Sequence, residues 1–472
     1  MANSLASSGY NNPMTALNPT LCRKARLARD ARYDGLFFVA VKTTGIFCRP
    51  VCPAVAPKEE NVEYFPQAQQ AAQAGYRPCF RCRPDSAPDS WAWLGTETTL
   101  QRALQLIDAG ALEEQSLPVL AERLGIGERY LRKLFDEHLG ISPKTYALFR
   151  QVMFAKQLLH ESALPISQVA VAAGFGSVRR FNDAFRKQLN IKPSDVRRGA
   201  KGDDAALTLR LNYRPPLNWS AMLKFWAART VAPMEWVEGN RYGRTFTWPG
   251  SGTRGWFEVT PIDNNHALRL RLWINQPALL RKTVAAVRRL LDLDSDVATI
   301  EKHLGKHPGL RRLLTPGLRI PGIWHPFEAG VRAILGQQVS VAAARTHVTR
   351  LVDVLGEAQD DRRFFPMPAA VAADELAMLK IPQRRRETLR VFARWYLQHG
   401  DNRTPDEWLA IKGIGPWTVD YAKLRGTGEP DIWLASDLGI QKALAAIDPD
   451  FNSDTLSPWR SYATFHLWNS LS

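Results

Sequence analysis

The sequence predicts a multidomain chain: a small α/β module, an all-α module built from a doubled unit, then an α+β unit followed by an all-α unit. Three observations carry this. Four of the five cysteines lie in two close pairs between residues 48 and 82. Residues 98–200 contain a segment that repeats itself. Past residue 205 the pattern alternates as strands do, and past about 277 it is helical to the end. A length of 472 residues also exceeds what one hydrophobic core organises. A disordered tail is expected over 1–18, with domains over 19–90, 95–200, 205–280 and 281–472. The seams "RPDSAPDS" and "RRGAKGDDAA" close the first two domains.

The chain carries 62 Lys and Arg against 46 Asp and Glu, a net charge of +16. An excess of this size points to a polyanion partner, nucleic acid first; the competing reading is a soluble basic enzyme. No signal peptide stands at the start, and no run approaches the ~18 apolar residues of a membrane span. A cytoplasmic, membrane-free protein without structural disulfides is expected.

In the first module, "GIFCRPVCP" and "RPCFRCRPD" give Cys48-x3-Cys52, a 26-residue gap and Cys79-x2-Cys82. Each close pair lets one turn supply two sulfurs to a tetrahedral metal, so the spacing fits one structural zinc ion. Buried thiols and C-x-x-C redox chemistry are the competing readings, and Cys22 reads as a bystander. The company is basic: Lys42, Arg49, Arg77, Arg81 and Arg83. The stretches "VKTTGIFCRPVC", "ENVEYF" and "QAGYRPCFRCRPD" together resemble the amino-terminal domain of Ada-type DNA repair proteins over residues 20–90. That resemblance implies that Cys48 irreversibly accepts a methyl group from a DNA methylphosphotriester, with Cys52, Cys79 and Cys82 as the other zinc ligands. It puts Lys42, Thr44 and Arg77 at the DNA backbone. A zinc-bound sulfur stays thiolate at neutral pH, and methylating one removes a negative charge. At ~8 Å from a phosphate and an effective dielectric of ~20, that charge is worth roughly 2 kcal/mol before salt screening, or up to ~30-fold in DNA affinity.

In the second module "LAERLGIGERYLRKLFDEHLGISP" is echoed by "VAVAAGFGSVRRFNDAFRKQLNIKP". Phe135 and Phe185 lie 50 apart, as do Pro143 and Pro193, while Gly125 and Gly174 lie 49 apart. Each repeat reads as a helix stopped by a glycine, then a second helix, near 128–138 and 177–188. That is helix-turn-helix spacing. The doubled unit resembles the AraC-type DNA-binding domain, whose second helices lie in successive major grooves. Arg129, Arg132 and Lys133, then Arg179, Arg180 and Arg186, would meet bases or phosphates. Leu131, Leu134, Phe135, Phe181 and Phe185 read as core, and a merely solvated basic face is the competing reading. In the Ada-type regulator this domain follows the zinc domain, and methylation makes it a promoter activator. The same order here implies the same coupling, with RNA polymerase as partner. Its carboxy-terminal methyltransferase needs a Pro-Cys-His-Arg motif, which has no counterpart here, so demethylation of guanine O6 is not expected.

In the last half, "LTLRLNYRPP", "RTFTW", "GWFEVTPI" and "ALRLRLWI" read as strands. "LAIKGIGPWTVDYAKLRG" reads as two helices joined by a hairpin, Lys412-Gly413-Ile414-Gly415. Small residues such as Gly413 and Gly415 let backbone N–H groups reach a phosphate. "EPDIWLASDLGIQKAL" follows and brings Asp437. This order resembles the helix-hairpin-helix DNA glycosylase superfamily. "LNYRPPLNWSAMLKFWAARTV", "PGLRIPGIWHPFEAGVRAILGQQVS" and "WRSYATFHLW" narrow the resemblance to AlkA-type 3-methyladenine DNA glycosylase II over about 207–472.

Glycosidic cleavage builds positive charge on the sugar, which a carboxylate stabilises. Asp437 is the first candidate for it; Asp420 and Asp431 are competitors that read as helix-surface and loop-capping groups. Strand-cutting relatives carry a lysine where this chain has Trp417, which implies a monofunctional enzyme. Trp417, Tyr421 and Trp468 match the family's aromatic pocket, where a cationic alkylated base gains ~0.5–2 kcal/mol. The target base must leave the stack; the family fills the gap with the leucine of "GQLVS", and Gln338 of "GQQVS" stands there here. A monomeric methyl sensor, DNA-binding regulator and alkylbase glycosylase on one chain is expected. Two alternatives stay open: a glycosylase merely targeted by its front half, and a regulator with an inactive glycosylase half.

Overall fold

The computed structural model describes residues 18–471 apart from 67, 80, 81, 83, 85–97, 198–205, 264, 446 and 448–450. Residues 1–17 of the tail expected over 1–18, Arg81, Arg83 and almost all of both seams lie outside the described residues; the tail's last residue, Asn18, instead caps the first helix. The chain divides into two compact units, 1–87 and 88–472.

In the first unit, α1 (Pro19–Leu27) starts at Asn18, whose side chain accepts from the Thr20 and Leu21 amides. Strands β1 (Phe38–Val41), β2 (Ile46–Cys48), β3 (Val62–Phe65) and β4 (Arg77–Pro78), with helix α2 (Ala68–Gln73) between the last two, form a sheet of order β3-β1-β2-β4. β2 runs antiparallel to β1 and parallel to β4, pairing Phe47 with Pro78. Both cysteine pairs therefore begin at the ends of adjacent strands. Phe37, Val39, Ala25 and Cys22 pack behind the sheet. Burial and the nearby Glu59 push the Cys22 thiol up to about 11, so it is protonated and inert at neutral pH.

The second unit opens with α3 (Thr98–Asp108), α4 (Ala111–Glu114), α5 (Leu117–Arg123) and α6 (Glu128–Leu139). A long helix α7 (Pro143–Glu161) leads to α8 (Ile166–Ala172), α9 (Val178–Leu189) and α10 (Pro193–Val196). Both turns have the expected form: Gly125 and Gly174 follow the ends of α5 and α8 at φ +71° and +83°, the left-handed region that only glycine enters freely. The apolar faces bury Leu131, Leu134, Phe135, Phe181 and Phe185 as expected. Helix α7 is buried nearly all round from Val152 to Leu159, because more than the two repeats covers it.

The α+β part is a five-stranded antiparallel sheet of order β5-β9-β8-β7-β6. It comprises β5 (Leu207–Asn212), β6 (Glu235–Glu238), β7 (Arg241–Trp248), β8 (Thr253–Ile262) and β9 (Ala267–Ile274), with α11 (Trp219–Ala227) linking β5 to β6. Strand β6 and helix α11 are additions to the sequence expectation. Then come α12 (Leu280–Leu290), α13 (Val297–Leu304), α14 (Pro308–Arg311), α15 (Pro326–Gly336) and α16 (Val341–Leu355). A short hairpin, β10 (Ala358–Gln359) with β11 (Arg362–Arg363), interrupts the helices. They resume as α17 (Pro368–Ala373), α18 (Gln383–His399), α19 (Pro416–Ala422), α20 (Leu438–Ala445) and α21 (Arg460–Ser470).

Two helical cores result. One gathers Phe327, Val348, Leu389, Phe392 and Trp408; the other gathers Leu304, Leu424, Ile440, Tyr462 and Phe465. Tyr421 packs against both, so α19 lies along the seam between them. Three buried charges and the nearly buried Arg332 tie the sheet to α15. Arg244 binds Glu328 at 2.8 Å and Glu235 at 3.1 Å, and Arg332 binds each of the same carboxylates at 2.8 Å. A buried ion cluster holds only when every charge is partnered, and here each guanidinium bridges both acids.

Candidate zinc, DNA-reading and base-excision sites

The four sulfurs of Cys48, Cys52, Cys79 and Cys82 all lie within 4.8 Å of one another. Zinc–sulfur bonds of about 2.3 Å place tetrahedral ligands about 3.8 Å apart, so the set fits one zinc ion. Backbone geometry enforces the cluster. The Cys79 amide donates to the Phe47 carbonyl at 2.9 Å, and the Cys52 amide to the Arg49 carbonyl at 3.1 Å. Cys79 and Cys82 are buried, whereas Cys48 and Cys52 are partly exposed. A methyl donor from outside reaches the first pair more readily.

Of the basic residues around the cysteines, Arg49 turns inward. It is 6% exposed and forms a two-pronged ion pair with Asp34, one prong at 2.7 Å. It also donates to the Cys82 carbonyl at 3.1 Å, and its amide to the Cys82 sulfur at 3.3 Å. Its role is to staple one cysteine pair to the other. Lys42 and Thr44 are exposed on the β1–β2 turn, and Arg77 is half-buried on β4 beside Ile46.

In the doubled module Arg129, Arg132, Lys133, Arg179, Arg180 and Arg186 are exposed on α6 and α9. Arg132 is held by Glu128 (2.9 Å through Nε), and Ser177 caps α9 by accepting from the Arg180 amide at 3.2 Å. Tyr130, half exposed beside these arginines on α6, escaped the sequence reading, although its spacing one residue past Arg129 puts it off the apolar stripe.

The candidate excision site is built around one carboxylate. Oδ2 of Asp437 accepts from Trp417 Nε1 at 3.0 Å. Oδ1 accepts from Trp468 Nε1 at 3.0 Å and from the amides of Gly439 and Ile440 at 3.0 and 3.1 Å. Two of these donors are the open start of α20, so the helix end and both tryptophans converge on a single acid. Trp417 stacks on Tyr421 with centroids 5.3 Å apart, and Tyr421 stands 6.4 Å from Trp468. The structure thus brings Asp437, Trp417, Tyr421 and Trp468 together. Asp431 is engaged by Arg460 through two bonds of 2.8 and 2.9 Å and by Ser457. Burial raises the Asp420 pKa, but among the described residues neither acid joins the aromatic group.

Several residues of this pocket went unread in the sequence. Phe225 packs on Phe465 (5.4 Å), which packs on Trp468 (5.1 Å). Arg229 lies 3.7 Å over the Phe225 ring, and Arg425 lies 4.8 Å over it. Arg425 donates to the Tyr421 hydroxyl at 2.7 Å. Burial, then Arg425, lowers the Arg229 pKa to about 10, which leaves it cationic at neutral pH. The i,i+4 spacing of Tyr421, near the end of α19, and Arg425, in the π-helical turn Lys423–Thr427 that continues it, is the one local signal that pointed there.

The hairpin is braced from two sides. Gly413 has φ +97°, and a Cβ there would meet Thr388 Oγ1 at 2.3 Å; that hydroxyl donates to the Lys412 carbonyl at 3.1 Å. Gly415 opens α19 with free space around its Cα, room for a backbone phosphate. The first arm of the hairpin is a 3-10 turn, Pro405–Ala410, where an α-helix was expected. Gln338 is exposed at φ +57° in the loop after α15. Its neighbour Gln337 donates to the Gly413 carbonyl at 3.1 Å and to Thr418 Oγ1 at 3.0 Å, which fixes that loop to the hairpin.

Residues 21–85 match the family described as the metal binding domain of Ada, 120–199 a helix-turn-helix domain, and 208–325 the AlkA N-terminal domain. These define a zinc-containing, DNA-binding protein with a glycosylase fold, and the cofactor is a single zinc. The chain is 35% identical over 479 residues to the probable bifunctional transcriptional activator/DNA repair enzyme AlkA of Mycobacterium tuberculosis, covering 95% of this chain and 96% of that protein. It therefore belongs to the family of that bifunctional enzyme. Its C-terminal half is 34% identical over 275 residues to DNA-3-methyladenine glycosylase 2 of Escherichia coli, covering 55% of this chain and 95% of that one. The front part is 34% identical over 184 residues to the bifunctional transcriptional activator/DNA repair enzyme AdaA of Bacillus subtilis, covering 38% and 83%.

Proposed function

We propose that this chain is an alkylation-response protein that accepts methyl groups from DNA methylphosphotriesters, regulates transcription, and excises alkylated bases as a monofunctional 3-methyladenine-type glycosylase. Relatives named as both transcriptional activator and DNA repair enzyme, matched along nearly the whole chain, support the double role. The convergence of both tryptophans on Asp437 carries the residue assignment.

In the sensor, bound zinc keeps its four sulfurs as thiolates. The Cys48 sulfur lone pair forms a bond to the methyl carbon, and that carbon's bond to the phosphate oxygen breaks. A phosphodiester leaves, and the cysteine remains as a thioether. Lys42, Thr44 and Arg77 hold the backbone at the site. Loss of one negative charge then strengthens DNA binding, and Arg129, Arg132, Arg179 and Arg180 read the promoter on behalf of RNA polymerase.

In the glycosylase, the hairpin glycines Gly413 and Gly415 hold a phosphate and Gln338 fills the gap left by the extruded base. Trp417, Tyr421 and Trp468 face that base, and Asp437 faces the positive charge growing on the sugar. A cationic alkylated base departs neutral, so the leaving group needs no proton; the water that adds to C1′ gives its proton to Asp437. Among the described residues no helix is long and apolar enough to cross a membrane. On this reading the chain acts on DNA as a monomer in the cytoplasm.

The test is purified protein with alkylated duplex DNA, following free base and Cys48 mass together. Release of 3-methyladenine with one methyl on Cys48 is expected; methyl gain without base release would leave the last half a binding module. For the wedge, Gln338→Ala should slow single-turnover release from paired duplex by about tenfold, about 1.4 kcal/mol, and far less from a mismatched site where the base is already loose. Equal rates on the paired duplex would remove Gln338 from the mechanism.

A further inference from the structure

One charged cluster is used by none of these activities. It lies inside the second unit, where the doubled helix-turn-helix meets the glycosylase body. Arg281 of α12 is 6% exposed; its guanidinium pairs with Glu113 of α4 and donates to the Ile107 carbonyl at 2.9 Å, in the last turn of α3. Glu113 also accepts from the Gln151 amide of α7 at 3.2 Å. That same amide donates to the Gly174 carbonyl at 3.0 Å. Gly174 is the turn glycine of the second repeat, and a Cβ there would stand 2.1 Å from the Glu113 carboxyl carbon.

One arginine of the glycosylase therefore reaches α3 and α4, the helices just before the first repeat, directly. Through Glu113 and Gln151 it reaches the linker helix and the turn of the second repeat. The contact continues along α7, whose Gln157 donates to the Arg210 carbonyl at 3.1 Å while Glu161 accepts from the Arg210 amide at 3.2 Å. Arg210 belongs to β5, an edge strand, so α7 covers the sheet edge that would otherwise be open. From α5, Arg123 donates to the Asp401 carbonyl at 3.2 Å.

Two recognition helices enter successive major grooves only when held at one separation, about 34 Å along the duplex. We propose that the glycosylase body is the docking partner that sets this relation, with Arg281 as the positioning residue. Sequence reading and base excision then reside in one rigid body. A planar fork suits the post, because it bonds a carbonyl and a carboxylate at once where an ammonium is a point charge. The proposal rests on the reading of residues 98–200 as a DNA reader.

Hydrogen exchange on the full chain tests the docking. Arg281→Met should speed exchange of the amides around 110–115 and 170–176 by about tenfold or more, Arg281→Lys by less, with base release within about twofold of wild type. Rates unchanged in a folded Arg281→Met protein would overturn the proposal. If that variant does not fold, Glu113→Gln, which keeps the shape and removes the charge, should show the same change at smaller size; unchanged exchange there would overturn it equally. Selection from a random duplex pool then reads the geometry. Wild type should enrich paired half-sites at one spacing, and Arg281→Met the same half-sites over several; a single retained spacing would refute the positioning role. Failure of wild type to enrich any half-site would instead sink the regulator reading, with exchange still deciding the docking.

Discussion

Asp437→Asn should lower base release by about a thousandfold. A carboxylate about 4 Å from the developing sugar cation, at an effective dielectric near 20, contributes about 4 kcal/mol, and each 1.36 kcal/mol is tenfold in rate. The substitution is nearly isosteric and asparagine starts a helix as well as aspartate. The amide oxygen can take the three bonds now made by Oδ1. Its NH2 would then point at Trp417 Nε1–H, donor against donor, where Oδ2 now accepts at 3.0 Å. Trp417→Phe in the same background removes that clash and should restore melting temperature without restoring rate. Release by Asp437→Asn within tenfold of wild type would move the catalytic assignment elsewhere.

Cys48→Ala should abolish methyl transfer outright, because a stoichiometric acceptor has no slower substitute. The variant keeps three sulfurs, so zinc binds more weakly and the assay belongs at saturating zinc with metal content measured. Chelation of the wild type should unfold the first unit, since four inward sulfurs without a metal are a poor core for so small a sheet. Labelled methyl on Cys48→Ala, at Cys52 above all, would show that the other partly exposed sulfur is the acceptor. The methylated wild type should bind duplex DNA up to ~30-fold more tightly at low salt, with the gain shrinking as salt rises.

Much of this molecule is written in local spacing. The cysteine pairs, the turn glycines Gly125 and Gly174, and strands β5, β7, β8 and β9 follow from residues a few positions apart. Asp437 with Trp417 and Trp468 was found through resemblance, since nothing in its own stretch says that two indoles will donate to it. What stayed hidden depends on distant packing. Arg49 sits among basic residues yet faces Asp34, and only the fold shows that. Phe225 of α11, with Arg229 over its ring, packs on Phe465, a residue distant in sequence that itself packs on Trp468. The bond from Gln337 to the Gly413 carbonyl depends on how α15 meets the hairpin. The bonds from Arg281 to Glu113 and Ile107 span a seam that composition marks as a linker.

The bonding of Asp437 also constrains the stereochemistry of the reaction. An ionised carboxylate offers about four acceptor positions. Three partners crowd Oδ1 and one indole occupies Oδ2, which leaves a single lone pair, on Oδ2. A nucleotide must present its anomeric carbon to that direction alone, and an approach by the opposite face of the sugar meets no acceptor. An α-anomeric lesion of the same base should therefore pass through this enzyme uncut, however well its ring stacks.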